Sequence, residues 1–216
     1  DAKADAPALP VTLEELVAAA RECEAAGAAL VHVHIRDGEG RPTLDLARLK
    51  DTVAALREAT SLVVQLSTGG SVHDPLEARL AVLEAAPDSC SLTCGTVNFG
   101  DDVFLNPWPF MVDLYRAAQA AQVVPEFEIF DLGHAHALRR LIDTCGLPYG
   151  GKVHCDLVMG VPGAVLGGTP AIAAIVEALP AEVTSWSATG IGRAHLPTMA
   201  AAVSMGGHLR VGMEDV

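Results

Sequence analysis

The chain has 216 residues, half of them hydrophobic, so it can bury the core of one sizeable domain. Its formal net charge of -13 disfavours binding to nucleic acid or to an anionic membrane, since both would repel it. No uninterrupted apolar stretch approaches the ~20 residues that span a bilayer, and the first residues lack the basic and apolar regions of a signal peptide. We therefore expect a cytoplasmic protein that binds a small molecule.

Segments with helical periodicity alternate along the chain with shorter segments that are apolar or rich in β-branched residues. The first helix begins with Thr12 and Glu15 in a capping-box pattern and stops at Gly27. In chain order, the predicted helices are 12–27, 44–59, 75–86, 109–121, 133–145, 169–180 and 196–206. The predicted strands, interpreted as buried on both faces, are 29–35, 61–67, 89–94, 123–130, 152–159, 182–188 and 208–212.

This regular alternation predicts a parallel sheet, either open and doubly wound or closed into a barrel. The chain opens on a helix and closes on a strand. Adding one strand in front and one helix behind gives a (β/α)8 TIM barrel of ordinary length. We therefore expect a single barrel domain over 1–216, truncated at both ends. An open doubly wound sheet is the alternative, although no GxGxxG dinucleotide fingerprint follows the first strands.

His32 and His34 stand one residue apart at the end of the first predicted strand. Residues i and i+2 of a strand point to the same side, about 6 to 7 Å apart along the chain, so both imidazoles can reach one metal ion. The carboxyl ends of barrel strands are also where active sites form. The alternative is one histidine in the core and one facing a helix. We favour the metal site.

A catalytic metal site needs a further ligand, commonly a carboxylate. Glu214 and Asp215 follow the last predicted strand, so both carboxylates are expected at the same rim as the histidines. A solvated acidic loop would be the default interpretation of an isolated Glu-Asp pair.

Other predicted strands also end in polar residues, as a pocket assembled from several βα loops requires. These residues are Ser67, Thr68, Ser91, Thr93, Thr96, Glu126 and Glu128. Each hydroxyl could equally well cap neighbouring backbone.

The remaining histidines and the five cysteines are expected to have structural roles. We place His73, His134, His136 and His195 at the surface or at helix ends. His154 and His208 lie in strands, where core packing is favoured over a role in supporting the site residues. The cysteines are odd in number and show no CxxC spacing, which indicates reduced thiols. Cys155 lies in a predicted strand and could face a pocket, but core packing is favoured.

Seven motifs occur in a characteristic order: VHVHIRD, QLSTGG, GTVNFGDDVF, VVPEFEIFD, VMGVPG, SWSATGIGR and GGHLRVGMEDV. Together they resemble the β-keto acid cleavage enzymes, the family that includes the 3-keto-5-aminohexanoate cleavage enzyme, over essentially the whole chain. The resemblance implies a zinc-dependent barrel, tetrameric in its relatives, that reacts a β-keto acid with acetyl-CoA. The products are acetoacetate and a new CoA thioester.

The resemblance also implies roles for individual residues. The metal ligands correspond to His32, His34 and Glu214, and the active-site arginine and aspartate to Arg210 and Asp215. The hydroxyls that hold the substrate carboxylate correspond to Ser67 and Ser91, and the carboxylate that reads the distal group of the substrate to Glu128. In the family, a strand and an acidic residue come just before the segment with which this chain begins. Asp1 corresponds to that acidic residue only if the turn that follows is one residue shorter in this chain.

In the implied chemistry, zinc acts as a Lewis acid on the β-keto oxygen, with Asp215 as base or orienting partner. Arg210 holds a carboxylate or stabilises an oxyanion. CoA is polyanionic and must be bound by local donors. The glycine-rich segments 160–168 and 189–193, the latter with Arg193, are candidate phosphate or pantetheine contacts, although such loops occur in all barrels.

Two other function classes stay open at this point. A metal-dependent hydrolase would use the His-x-His pair to activate water, but would be expected to carry further strand-end histidine and aspartate ligands. A barrel that binds acyl-CoA or a metal without turnover is the non-enzymatic alternative. Glu128 points to a β-keto acid with a cationic or hydrogen-bonding distal group, without specifying which one.

Overall fold

The structure, a computed structural model, describes Lys3 and residues 6–216. Asp1, the candidate for the acidic residue at the start of the chain, lies outside the described residues. The chain divides into two compact units, residues 1–91 and 92–216. Among the described residues, no helix is both long and apolar enough to cross a membrane.

The first unit alternates helices and parallel strands as predicted. Its elements are α1 (Leu13–Ala25), β1 (Leu30–Val33), α2 (Leu46–Ala59), β2 (Val63–Leu66), α3 (Leu76–Ala81) and the beginning of β3 (Ser89–Thr93). A short 3₁₀ segment, Val82–Ala85, continues α3. Strand β2 pairs in parallel with both β1 and β3.

Helix α1 begins and ends where the sequence predicts. The Thr12 side chain accepts a hydrogen bond from the backbone N–H of Glu15, and the Glu15 side chain accepts one from the backbone N–H of Thr12. Two backbone donors that the helix leaves unpaired are thereby satisfied. The chain leaves the helix through Gly27 at φ +98°, a conformation that favours glycine. The predicted capping box is confirmed.

The strands of the first unit have one apolar and one polar face, and β2 has buried residues on both faces, as predicted. Val33, Ile35, Val64 and Leu66 pack in one buried cluster with residues of α1 and α2. The alternate residues, His32, His34, Gln65 and Ser67, occupy the other face because successive side chains of a strand point to opposite sides. The polar face therefore carries the candidate site residues.

The second unit continues the alternation around a parallel sheet of order β6-β7-β8-β9. Its elements are β4 (Val97–Phe99), β5 (Asp102–Phe104), α4 (Trp108–Ala121), β6 (Val124–Ile129), α5 (Leu132–Cys145), β7 (Val153–Met159), α6 (Thr169–Ala178), β8 (Val183–Gly190), α7 (His195–Ser204) and β9 (His208–Leu209). Strands β4 and β5 form an antiparallel hairpin that the sequence interpretation missed. Two further 3₁₀ segments are Tyr149–Gly151 and Gly192–Ala194.

Candidate active site

The two histidines of the first unit converge on one point. The Nε2 atoms of His32 and His34 lie 3.2 Å apart. Two nitrogen ligands bound at about 2.0–2.1 Å in a tetrahedral zinc site would be separated by about 3.3 Å. The two side chains are half-buried. Their spacing and donor chemistry therefore fit two ligands of one divalent metal ion.

Gln65 orients the first of these histidines. It stands opposite His32 in the β1–β2 register. Its Nε2 donates to Ser89 Oγ at 3.0 Å, which turns Oε1 toward His32 Nδ1. An Nδ1–H that donates to this oxygen makes Nε2 the ligand nitrogen, the usual way in which a neighbouring group fixes a metal-binding histidine. Sequence reasoning missed Gln65 and Ser89, because their role depends on strand register.

The predicted hydroxyl residues Ser67 and Ser91 are buried at the ends of β2 and β3. Ser67 Oγ donates to Gly69 O at 2.8 Å, and Ser91 Oγ accepts from the backbone N–H of Thr68 at 3.1 Å. Buried Arg79, which the sequence interpretation did not single out, donates through Nε to Thr68 O at 2.7 Å. These contacts hold the 67–69 loop in place, so both hydroxyls have fixed positions.

The second unit carries two rows of polar side chains across its sheet. Glu126, His154 and Ser185 stand opposite one another on β6, β7 and β8. Two residues further along each strand, Glu128, Asp156 and Ser187 form the next row. All six share one face of the sheet, since residues i and i+2 point the same way.

Arg210 lies among the carboxylates of this face. Its Nη1 lies 3.1 Å from Glu128 Oε1 and 3.6 Å from Asp156 Oδ2, and its Nη2 lies 3.2 Å from Glu214 Oε2. Burial by itself would lower the pKa of Arg210, but the negative charges of Asp156 and Glu128 outweigh burial and raise it. The guanidinium is therefore a permanent positive charge in this site.

Glu128, which the resemblance implies in reading the distal group of the substrate, is bound by groups of the chain itself. Its Oε2 accepts from Thr93 Oγ1 at 2.7 Å, and its Oε1 pairs with Arg210. A substrate group that contacts Glu128 must therefore share this carboxylate with Arg210.

Asp156 is the buried carboxylate that sequence reasoning missed. It has no exposed surface, and Ser187 and Thr189 donate to its two oxygens at 2.6 and 2.7 Å. Burial raises its pKa to about 6, although Arg210 acts in the opposite direction. A charged residue inside a largely apolar strand was the available signal, because such residues are almost never buried without partners.

Glu214 and Asp215 differ in environment although they are adjacent. Half of the Glu214 side-chain surface is exposed, whereas Asp215 is buried. The backbone of Asp215 closes a turn to Gly212 O at 3.1 Å, and its carbonyl accepts from the Gly192 N–H at 2.7 Å. Burial raises the pKa of Asp215 to about 6, Arg210 lowers it, and Glu214 raises it further. Asp215 therefore binds a proton more readily than an exposed aspartate does.

The glycine-rich segments 160–168 and 189–193 pack closely around the start of α7. A Cβ at Gly167 would lie 2.3 Å from Ala194 Cβ, and one at Gly190 would lie 2.6 Å from Ala194 O. These glycines therefore have a packing role, whether or not the loops contact CoA. Arg193 is exposed in the 3₁₀ segment that precedes α7.

Replacing Gly167 by alanine is expected to destabilise the protein by about 1–3 kcal/mol, because the added methyl overpacks against Ala194. Urea unfolding would measure the loss. Gly38→Ala is the matched control, since the nearest atom to its added Cβ would be 3.8 Å away. Equal unfolding free energies for Gly167→Ala and the wild type would contradict this packing account.

Two of the remaining histidines make side-chain contacts that the sequence did not predict. His134 lies in the first turn of α5, a helix end as predicted, but it is buried: its Nδ1 accepts from the Phe130 N–H at 3.2 Å, and burial lowers its pKa. In the second unit, His154 Nδ1 lies 2.7 Å from Ser185 Oγ, and its Nε2 lies 3.3 Å from Ser187 Oγ. Cys155 is fully buried, in agreement with its predicted packing role.

Comparisons with known proteins give one consistent family. The family model of the beta-keto acid cleavage enzymes, which describes their sequences, matches residues 1–216. The 3-keto-5-aminohexanoate cleavage enzyme of Acetoanaerobium sticklandii is 35% identical over 97% of this chain and 76% of its own length. The 3-oxoadipate:acetyl-CoA acetyltransferase of Cupriavidus necator is 34% identical over 99% of this chain and 75% of its own length.

Among solved structures, the ternary complex of ObcA with a C4-CoA adduct and oxalate is similar, with a TM-score of 0.82 and 22% identity. The match covers 97% of this chain and 58% of that chain. This likeness shows the fold, so the predicted TIM-barrel class is confirmed and the open doubly wound alternative is set aside.

Proposed function

Because the chain belongs to the β-keto acid cleavage enzyme family, as its motifs predicted, we propose that it reacts a β-keto acid with acetyl-CoA to give acetoacetate and a new acyl-CoA. The enzyme class follows from the family, and one relative is named as an acetyl-CoA acetyltransferase. The main structural support for the proposal is the spacing of His32 and His34, whose Nε2 atoms lie 3.2 Å apart at the end of β1. Such a pair suits a reaction that needs a Lewis acid.

We propose that His32, His34 and Glu214 bind zinc. The zinc would polarise the β-keto oxygen of the substrate and stabilise the negative charge that develops there. The imidazole spacing and the Gln65 contact that selects Nε2 of His32 support the histidine ligands. Glu214 is taken from the resemblance, and its half-exposed carboxylate is compatible with a ligand role.

The other residues have separate tasks in this proposal. Ser67 and Ser91 bind the substrate carboxylate through hydroxyls that the 67–69 loop keeps in position. Asp215 removes the proton from the α-carbon, for which a pKa near the working pH is suitable. Arg210 stabilises the oxyanion that forms when the carbanion attacks the acetyl thioester.

Glu128 and Arg193 are proposed to contact the two substrates. Glu128 hydrogen-bonds the distal group of the β-keto acid while it shares its charge with Arg210. Arg193 is exposed and can pair with a CoA phosphate. We also propose, from the resemblance, that the chain forms one cytoplasmic barrel domain and assembles as a homotetramer, which analytical ultracentrifugation would test.

An activity assay tests the reaction directly. Purified protein, zinc and a panel of β-keto acids with amine, carboxylate and neutral distal groups would be incubated with and without acetyl-CoA. We expect acetoacetate and a new acyl-CoA in equal amounts, with neither product formed when acetyl-CoA is omitted. Loss of the β-keto acid without acetyl-CoA, faster than its spontaneous decarboxylation in a protein-free sample, would indicate a hydrolase, and zinc binding without turnover across the panel would indicate a non-catalytic binding protein. Either result would overturn the proposal.

A further inference from the structure

We propose that Asp156 is a positioning residue that fixes the guanidinium of Arg210 in its working orientation. The proposal rests on the function given above to Arg210, which stabilises an oxyanion. Asp156 acts through Arg210 and does not itself touch the substrate.

The surroundings of Asp156 make it a rigid anion. Ser187 Oγ donates to Oδ1 at 2.6 Å and Thr189 Oγ1 donates to Oδ2 at 2.7 Å, so each carboxylate oxygen has its own donor. Both donors stand on β8, in the part of its register with β7 that is regular, from His154 to Met159. Burying a carboxylate costs free energy, and an ion pair of this kind is weak evidence for stability. A role in the site explains why an aspartate stands at this position.

A second row of contacts holds Ser187 in turn. Its Oγ lies 3.3 Å from His154 Nε2, and His154 Nδ1 lies 2.7 Å from Ser185 Oγ. With the Ser187 proton donated to Asp156, the Ser187 oxygen accepts from His154 Nε2–H, and His154 Nδ1 accepts from Ser185. His154 Nε2 also lies 3.4 Å from Glu126 Oε2, so a second carboxylate helps to fix the imidazole that contacts Ser187. Together these contacts hold Ser187, and through it Asp156, in place.

Arg210 needs such an anchor because its backbone gives little support. It follows β9, a strand of two residues, and its N–H donates to Ala188 O at 3.2 Å. The long side chain then extends to β7 and β6, where Nη1 lies 3.6 Å from Asp156 Oδ2 and 3.1 Å from Glu128 Oε1.

Asp156 differs from Glu128 and Glu214 in having no second task, and it lies nearer to Arg210 Nη1, at 3.6 Å, than Glu126 does, at 4.0 Å. Glu214 is proposed to bind zinc, and Glu128 is proposed to bind the distal group of the substrate, so both contacts weaken when the site is loaded. Asp156 is fully buried and fully satisfied by Ser187 and Thr189. It is therefore the charge that keeps Arg210 in place throughout the reaction.

A double-mutant cycle tests this role. Asp156→Asn keeps the shape and can still bond both hydroxyls, but removes the charge that Arg210 faces. We expect kcat to fall by about 10- to 100-fold, the effect of a small misplacement of a catalytic group, with the KM for acetyl-CoA nearly unchanged. In an Arg210→Lys background, the same substitution should change kcat by less than about twofold, because contacting residues that act together are not additive. Full additivity of the two substitutions would overturn the proposal.

A second measurement does not depend on activity. The ¹⁵N resonances of the Arg210 guanidinium report how fast it rotates about the Nε–Cζ bond. We expect slow rotation in the wild type and faster rotation in Asp156→Asn, and equal rates would overturn the proposal even if kcat had fallen. If the wild type has no β-keto acid cleavage activity, the function proposed above fails while the rotation measurement still decides the role of Asp156.

Two further variants separate positioning from stability. Ser187→Ala removes one donor to Asp156 and keeps the charge, so it covers the case in which Asp156→Asn does not fold. We expect it to lower kcat less than Asp156→Asn and to lose its effect in the Arg210→Lys background. Leu138→Ala, in the buried face of α5, is the control for stability alone. It should lower Tm without changing kcat, and a kcat loss equal to that of Ser187→Ala would contradict positioning.

Discussion

Replacement of His32 or His34 by alanine is expected to remove bound zinc and to reduce turnover by at least about 1,000-fold, because a Lewis acid contributes several kcal/mol to this type of reaction. One imidazole and one carboxylate are too few ligands for a stable zinc site. The fold should persist, since both side chains lie on the polar face of β1 while Val33 and Ile35 form the core contacts.

Metal analysis by plasma emission, steady-state kinetics and circular dichroism would together measure this result. His136→Ala is the matched control, because His136 is exposed on α5 and should leave zinc and activity unchanged. Stoichiometric zinc in both His32→Ala and His34→Ala would show that the metal, if present, is held elsewhere.

The strands and helices could be predicted from local pattern because each βα unit carries its own periodicity and punctuation. Thr12, Glu15 and Gly27 define the first helix within sixteen residues, and the structure confirms them. The β4–β5 hairpin could not be predicted in the same way. Its strands have three residues each, too few for alternation to be recognised, and the turn uses Gly100 at φ +65°.

The same difference between local pattern and strand register decides which residues of the candidate site could be predicted. His32 and His34 are two residues apart, so their shared direction follows from strand geometry alone. Gln65 and Asp156 gain their roles from register: Gln65 stands opposite His32, and Asp156 stands between Glu128 and Ser187. These pairings join residues about 30 positions apart, and a single sequence does not contain the register of parallel strands.

Arg79 is a further residue whose burial could not be predicted from the sequence. Its position in helix α3 gives the pattern of an exposed basic residue, yet it is 2% exposed and donates to Thr68 O. A surface charge and a buried structural arginine have the same spacing along a helix. Only the position of the Thr68 carbonyl, which accepts from Arg79 Nε, distinguishes the two.

Asp215→Asn is expected to retain zinc and to lower kcat by about 100- to 10,000-fold, the usual contribution of a positioned general base. Asparagine has the same shape but cannot accept the α-proton. Plasma emission and steady-state kinetics would measure the two quantities. Asp143→Asn on the exposed face of α5 is the control and should leave both unchanged. Unchanged turnover in Asp215→Asn would remove Asp215 from the chemistry.

Asp215→Asn should raise the stability of the fold at neutral pH although it lowers kcat. Burial raises the pKa of Asp215 from 3.8 to about 6, so between these values the folded chain holds a proton that the unfolded chain releases. The contribution of Asp215 to the free energy of unfolding therefore falls as pH rises through this window, and it is fully lost above the window. An asparagine side chain carries no such charge, so chelator-treated Asp215→Asn should melt at the same Tm as the wild type at pH 3.5 and at a higher Tm at pH 7.5. A lower Tm at pH 7.5 would mean that the ionised carboxylate stabilises the turn, and that its position there is structural.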